Sequence, residues 1–181
     1  MLLYKKIWVG FVKEKNLFEQ RTVPLLMQQP SSVRTATLKD LERIIELEGL
    51  CFPKEHAYSR RQLRYLLVKA NSTVLVETEN SHIRGFLIIL YRRGTTVAGI
   101  ETINVDPLFR NQGIGQRLLT SAKQLLIKKG IQKIRLEVAI TNRAAIKLYE
   151  RAGFQKTRLL RHYYLYNHEG SRDAYRMIKE L

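Results

Sequence analysis

Residues 110–115, Arg110-Asn111-Gln112-Gly113-Ile114-Gly115, lie between an extended apolar run that ends at Val105 and a long amphipathic run that begins at Ile114. They commit this stretch to a strand, a tight turn and a helix start in close succession. Apolar residues at 114, 118, 119, 122, 125 and 126 fall on one helical stripe, and Gly130 predicts the stop. The first turn of a helix leaves backbone N–H groups without partners and carries about half a positive charge from the macrodipole. Gly113 and Gly115 let the backbone curl and let an anion approach with no Cβ in the way, and Arg110 adds a mobile cation beside them. The local reading is an anion-binding helix start; the plainer one is an ordinary glycine turn.

Two nucleotide motifs fail on spacing. A P-loop needs Lys then Ser or Thr after its last glycine, where this chain has Gln116-Arg117. A dinucleotide fold needs a third glycine three positions after Gly115, where Leu118 stands. The pattern Arg-x-x-Gly-x-Gly instead resembles the coenzyme A loop of the GNAT superfamily of N-acyltransferases. Ile103-Asn104-Val105-Asp106-Pro107 precedes it, and Leu136-Glu137-Val138 follows the helix. Then come Asn142-Arg143-Ala144-Ala145-Ile146-Lys147-Leu148-Tyr149-Glu150-Arg151-Ala152-Gly153-Phe154, Arg161-His162-Tyr163-Tyr164, and Asp173-Ala174 with Met177. Those segments, in that order, are similar to the ribosomal-protein-alanine N-acetyltransferase branch, from about Val33 to the end of the chain.

The remaining segments read as a βααβββαβαββ succession. Strands are expected at Val33–Thr37, Ser72–Thr78, Ile83–Tyr91, Thr95–Val105, Ile134–Val138, Phe154–Leu160 and Ala174–Lys179, the last two as an antiparallel pair. Helices are expected over Leu38–Leu50, from a Ser59 cap to about Lys69, over Gly113–Lys129, and from an Asn142 cap to Arg151. This order predicts one α/β domain at residues 33–181. The resemblance implies a mixed, largely antiparallel sheet flanked by helices, with two central strands splayed apart, often beside a bulge.

Residues 1–32 form a basic extension, with Leu2, Leu3, Ile7, Trp8, Val9, Phe11 and Val12 among Lys5, Lys6, Lys13 and Lys15. It lacks the uninterrupted apolar core of a signal peptide. It reads as a nonessential extension; a basic amphipathic element, or a start at Met27, are the alternatives.

A formal net charge of +16 favours anionic partners such as coenzyme A, acidic peptides, RNA or a ribosome surface, and disfavours free polyamines. General solubility explains the same charge. The single cysteine, Cys51, permits no internal disulfide and fits a reducing cytoplasm, where it reads as a buried packing thiol. Four scattered histidines suggest no metal site, and no apolar run has the length of a membrane span.

The resemblance implies acetyl-CoA as acyl donor and a protein N-terminal α-amine as acceptor, with an Ala-starting ribosomal protein as the first candidate. A peptide α-amine has a pKa near ~8, so a modest base suffices to deprotonate it, whereas a lysine amine costs about three units. Glu137 interrupts an apolar strand and reads either as a solvated alternate-face residue or as a base; the resemblance makes it the general base, its pKa raised by burial. Tyr149 reads as a core tyrosine or, by resemblance, as the general acid that protonates the departing sulfur. The resemblance assigns cofactor contacts to the backbone of Ile103, Asn104 and Val105, to the loop residues Arg110, Asn111, Gln112, Gly113, Ile114, Gly115 and Gln116, and to the amide of Asn142. It sets Tyr163 and Tyr164 beside the acceptor. The alternatives are the same fold acting on a lysine or small-molecule amine, and a non-catalytic RNA-associated module.

Overall fold

The computed structural model describes residues 30–181, so most of the N-terminal extension, including Met27, lies outside the described residues. Among the described residues, seven strands form one sheet in the order β1-β2-β3-β4-β5-β7-β6. They are β1 (Ser32–Thr35), β2 (Ser72–Glu79), β3 (His82–Tyr91), β4 (Val97–Val105), β5 (Lys133–Ala139), β6 (Gln155–Leu160) and β7 (Ala174–Glu180). Four helices accompany them: α1 (Leu41–Cys51), α2 (Arg60–Val68), α3 (Ile114–Lys128) and α4 (Arg143–Arg151). Every strand pair is antiparallel except β4 with β5.

The apolar pattern explains the layering. β3 is nearly continuous in apolar residues because both its faces are covered. Phe86 and Ile88 pack with Ile44, Leu47, Leu63 and Leu66 of α1 and α2. Leu87 and Ile89 pack on the opposite side with Ile114, Leu118, Ala122 and Leu126 of α3, in a core that continues to Ala145 and Tyr149 of α4. Gly85 marks the closest approach, since a Cβ there would stand 2.8 Å from the Asn104 carbonyl oxygen and 2.9 Å from Ile114.

The expected first helix divides in two. Leu38–Asp40 is a 3-10 turn in which the Asp40 carboxylate accepts from the Thr37 N–H at 2.7 Å and from Arg34, and α1 starts only after it. β4 begins two residues later than its composition suggests, because the Thr95 hydroxyl bonds the Arg92 carbonyl at 3.1 Å and closes a turn.

The feature that makes a site is the divergence of β4 and β5. Both strands continue for several residues, yet they pair only at Val97–Lys133, Ala98–Ile134 and Gly99–Arg135. Beyond Gly99 they part, and there β4 carries a bulge: Ile88 opposes Thr102 and Ile89 opposes Ile100, so Glu101 is the extra residue. A bulge bends its strand and re-aims the side chain it adds.

Candidate active site

The segment that joins β4 to α3 forms the mouth of the splay. After a 3-10 turn at Pro107–Phe109, Asn111 and Gly113 take positive φ angles of 63° and 75°. Gly113 is the N-cap of α3 and offers no side chain to it, so the first N–H groups of the helix stay open to an anion. Asn111, Gln112 and Gln116 are exposed around this turn, while Ile114 is buried in the core. Gly115 has a packing reason as well: a Cβ there would meet the Leu148 side chain of α4 at 2.9 Å.

An ion network braces the turn. Arg117 donates from Nη1 to the Gln112 carbonyl at 2.9 Å, and from Nε and Nη2 to Glu77 Oε1 at 3.0 and 2.6 Å. Glu77 is fully buried and also receives Arg84, at 3.0 Å from Nε and 2.6 Å from Nη2. The sequence shows Arg117 only as the residue that rules out a P-loop; in the fold it ties the loop to β2 and β3.

The segments that follow β4 and β5 carry three side chains with unpaired donors. Among the described residues, the buried side-chain nitrogen and oxygen atoms without a hydrogen-bond partner are Arg110 Nε and Nη2, Asn142 Nδ2 and the Tyr149 hydroxyl. Buried polar groups are nearly always paired, so each such atom calls for an explanation. Arg110 is not the mobile surface cation expected. It is half-buried with its guanidinium against Cys51, whose thiol burial pushes up to about 11, Arg110 opposing the shift. Asn142 caps α4 by accepting the Ala145 N–H at 3.0 Å, which leaves its amide donor unused. Tyr149 is fully buried, its ring edge-on to Phe154, and burial alone drives its pKa far above the ordinary phenol value. It therefore holds its proton at any physiological pH. These three residues fit a ligand with anionic and carbonyl oxygens and one basic atom, a description that acetyl-CoA meets.

The three residues of the strand edge, Ile103, Asn104 and Val105, do not all face the same way. The Asp106 N–H donates to the Arg84 carbonyl at 2.8 Å, so antiparallel alternation turns the backbone of Asn104 toward β3 and that of Ile103 and Val105 toward the opening. Asn104 is thus separated from the other two. Its side chain joins a buried network, donating to Glu48 at 2.6 Å and accepting from Thr102 at 3.1 Å.

The opposite face of the splay carries carboxylates. Glu137 is buried but does not stand alone in an apolar pocket: Arg176 Nε donates to its Oε1 at 2.8 Å, and Arg135 Nε lies 3.4 Å from the same oxygen. Both guanidinium groups engage Oε1 and leave Oε2 outside these contacts. Glu101, on the bulge, is also buried and accepts from the Tyr58 hydroxyl. Glu101 and Glu137 line one groove of about 580 Å³ with Gly99, Ile100, Arg135 and Tyr65.

Comparison with known proteins decides what this geometry belongs to. Residues 41–154 match the model of the acetyltransferase (GNAT) family. The chain belongs to that family. N-alpha-acetyltransferase 30 of Schizosaccharomyces pombe is 32% identical over 144 residues, which cover 78% of this chain and 90% of that protein. The crystal structure of the ribosomal-protein-S18-alanine N-acetyltransferase from Escherichia coli aligns with a TM-score of 0.74 at 26% identity, over 83% of this chain and 94% of that one. Arabidopsis thaliana NAA60, solved in complex with acetyl-CoA, shares the fold with a TM-score of 0.73 at 20% identity, over 84% of this chain and 99% of that one.

In this GNAT acetyltransferase the two tyrosines of the β6–β7 connection have separate places. Tyr163 stands among Glu137, Glu101, Arg176 and Arg135, and burial followed by those carboxylates raises its pKa. Tyr164 is a buried pillar, packed with Ala139 and Ala174 and edge-on to His168 at 4.2 Å. His56, from the α1–α2 connection, stacks on Tyr166 at 5.1 Å and lies 5.0 Å from His168, so the two loops touch. Glu101, Tyr58 and Glu48 were not legible as site residues. The one available signal was a second carboxylate, Glu101, inside an otherwise apolar strand.

Proposed function

We propose that this GNAT enzyme transfers an acetyl group from acetyl-CoA to the α-amine of a protein N-terminus by direct attack, with an Ala-starting ribosomal protein as first candidate. The observation that carries the reading is the set of orphaned donors on Arg110, Asn142 and Tyr149, together with a carboxylate-lined groove across the splay. Relatives named for N-terminal and ribosomal-protein-alanine acetylation support the acceptor class.

Acetyl-CoA, when bound, supplies a thioester carbonyl carbon open to attack by an amine. The N–H groups that open α3 hold its pyrophosphate, and the backbone of Ile103 and Val105 pairs with its extended arm. Asn142 Nδ2 donates to an oxygen of that arm. Glu137, through Oε2, takes the proton that the attacking amine loses. Tyr149, kept protonated by burial, would supply the proton that the departing sulfur needs. Glu101 and Tyr58 form the facing wall that orients the amine.

The test is acetyl-CoA-dependent thiol release with short peptides, beginning with an Ala-starting ribosomal N-terminus and its N-blocked, lysine-containing counterpart. Turnover on the free N-terminus that disappears on blocking is the expected result. Turnover that survives blocking would move the assignment to lysine, and loss of acetyl-CoA binding would end the enzyme reading.

A further inference from the structure

The face of the sheet that carries Glu101 and Glu137 is covered unevenly. α1 and α2 pack on β2, β3 and β4. The same face of β5, β7 and β6 presents charged side chains in an ordered arrangement. Glu137 is directly opposite Arg176 on β7, and Arg176 is directly opposite Arg158 on β6. Directly opposed residues in antiparallel pairs share a face with Cβ atoms about 4.5–5.5 Å apart. Arg158, Arg176 and Glu137 therefore form one row from the outer strand to the opening. Arg135, two residues before Glu137 on β5, lies on the same face beside it.

Charge along this row is unbalanced. Arg135 and Arg176 both engage the one oxygen Glu137 Oε1, with their side chains 28% exposed. Arg158 is exposed and has no carboxylate within ion-pair distance among the described residues. Arg135 and Arg176 thus lie beside Glu137, Glu101 stands across the same groove, and Arg158 is the exposed guanidinium outward from both carboxylates. Adjacent strands are about 4.8 Å apart and an extended chain advances about 3.3–3.6 Å per residue, so the second to fourth residues of an acceptor reach from Glu137 to Arg158.

We infer that the acceptor carries aspartate or glutamate within the three residues that follow its amino-terminal residue, and that Arg158, Arg176 and Arg135 read this acidic segment. The inference rests on the proposed N-terminal acetylation and specifies its substrate class. Glu101 and Glu137 receive the amine, and the arginine row receives the carboxylates behind it. The net charge of +16 acts in the same sense at longer range, drawing acidic chains in and repelling basic ones.

The experiment compares initial rates for paired peptides that share an N-terminal alanine and differ only at positions 2–4: an acidic, a neutral and a lysine-containing version. The expected kcat/KM order is acidic, neutral, basic, with about a tenfold or greater ratio between the extremes at low salt that narrows at 0.5 M salt. Arg158→Glu is expected to bring the acidic-to-basic ratio close to one. Because that ratio is internal to each preparation, a partly inactive sample does not mimic the effect. Equal rates for all three peptides, or a basic preference, would overturn the inference and leave N-terminal acetylation standing. No turnover on any peptide would overturn both. Equal inhibition of all three peptides by a short single-stranded RNA, with no ranking by peptide charge, would overturn it in favour of a nucleic-acid surface.

Discussion

The buried polar groups beneath α1 and those around the splay lie in one domain and are treated oppositely. Beneath α1, Glu48 accepts from the Tyr58 N–H at 2.8 Å and from the Asn104 amide, Asn104 accepts from Thr102, and the Tyr58 hydroxyl reaches Glu101. Around the splay, Arg110, Asn142 and Tyr149 keep donors without acceptors. A buried polar group left unpaired costs about 1–3 kcal/mol, and more when charged. The paired set uses its hydrogen bonds to fix where the α1–α2 loop meets the bulge. The unpaired set holds bonding capacity that no protein group takes up. On the proposed function, the contrast separates residues that position the site from residues that meet acetyl-CoA.

Tyr149→Phe is the sharpest way to break that contrast. General acid catalysis contributes about 10²–10⁴-fold, so turnover should fall by about 10²-fold or more. Acetyl-CoA affinity, measured by calorimetric titration, should change by no more than about threefold, since one hydrogen bond to a neutral group contributes about 0.5–1.5 kcal/mol at most. The ligand-free variant should melt at the same temperature or slightly higher, because the deletion removes an unsatisfied buried hydroxyl. Full turnover would remove the acid role from Tyr149. A clear fall in melting temperature would mean that the hydroxyl has a protein partner and belongs with the paired set.

Asn104→Leu tests the other side. The substitution takes an amide donor from a buried carboxylate, and a hydrogen bond to a charged group contributes about 1.5–3 kcal/mol. For a chain of this size that corresponds to a fall of about 4–10 °C in melting temperature. Acetyl-CoA affinity should stay close to that of the parent, because the Asn104 backbone serves β3 and not the opening. An unchanged melting temperature would show that Glu48 does not depend on this bond.

Much of this architecture was legible in the chain, for reasons tied to period and caps. The apolar runs of β2 and β3, the stripe of α3, and the caps at Ser59 and Asn142 each act over a few residues, and each produced the expected element. The glycine turn before α3 was legible as well, since a glycine at positive φ before a helix is a local demand. Three things were not. The bulge at Glu101 shifts a face assignment by one residue, and nothing in Val97–Val105 marks where the slip occurs. The pairing of Glu137 with Arg176 spans 39 positions and depends on sheet order. The packing role of Gly115 depends on Leu148, from a helix that begins 28 positions later, at Arg143.

Arg117 lies on the boundary between the two sets, paired yet bordering the cofactor loop, and so yields the smallest and most discriminating effect. Arg117→Met frees the Gln112 carbonyl while Glu77 keeps its two bonds from Arg84. The loop N–H groups then lose their fixed direction, and the dissociation constant for acetyl-CoA should rise about tenfold, a change of about 1.4 kcal/mol. Turnover at saturating donor should stay within about twofold, because no reacting atom is touched. A purely electrostatic role predicts the same loss, so Arg117→Lys separates the two accounts. Lysine restores the positive charge but cannot hold Gln112 and Glu77 at once, since it lacks the planar fork. If Lys recovers the full affinity and the remaining difference vanishes with salt, Arg117 is only a nearby cation. If Lys recovers little of it, the loop depends on a brace that reaches from its own backbone to a carboxylate buried in β2.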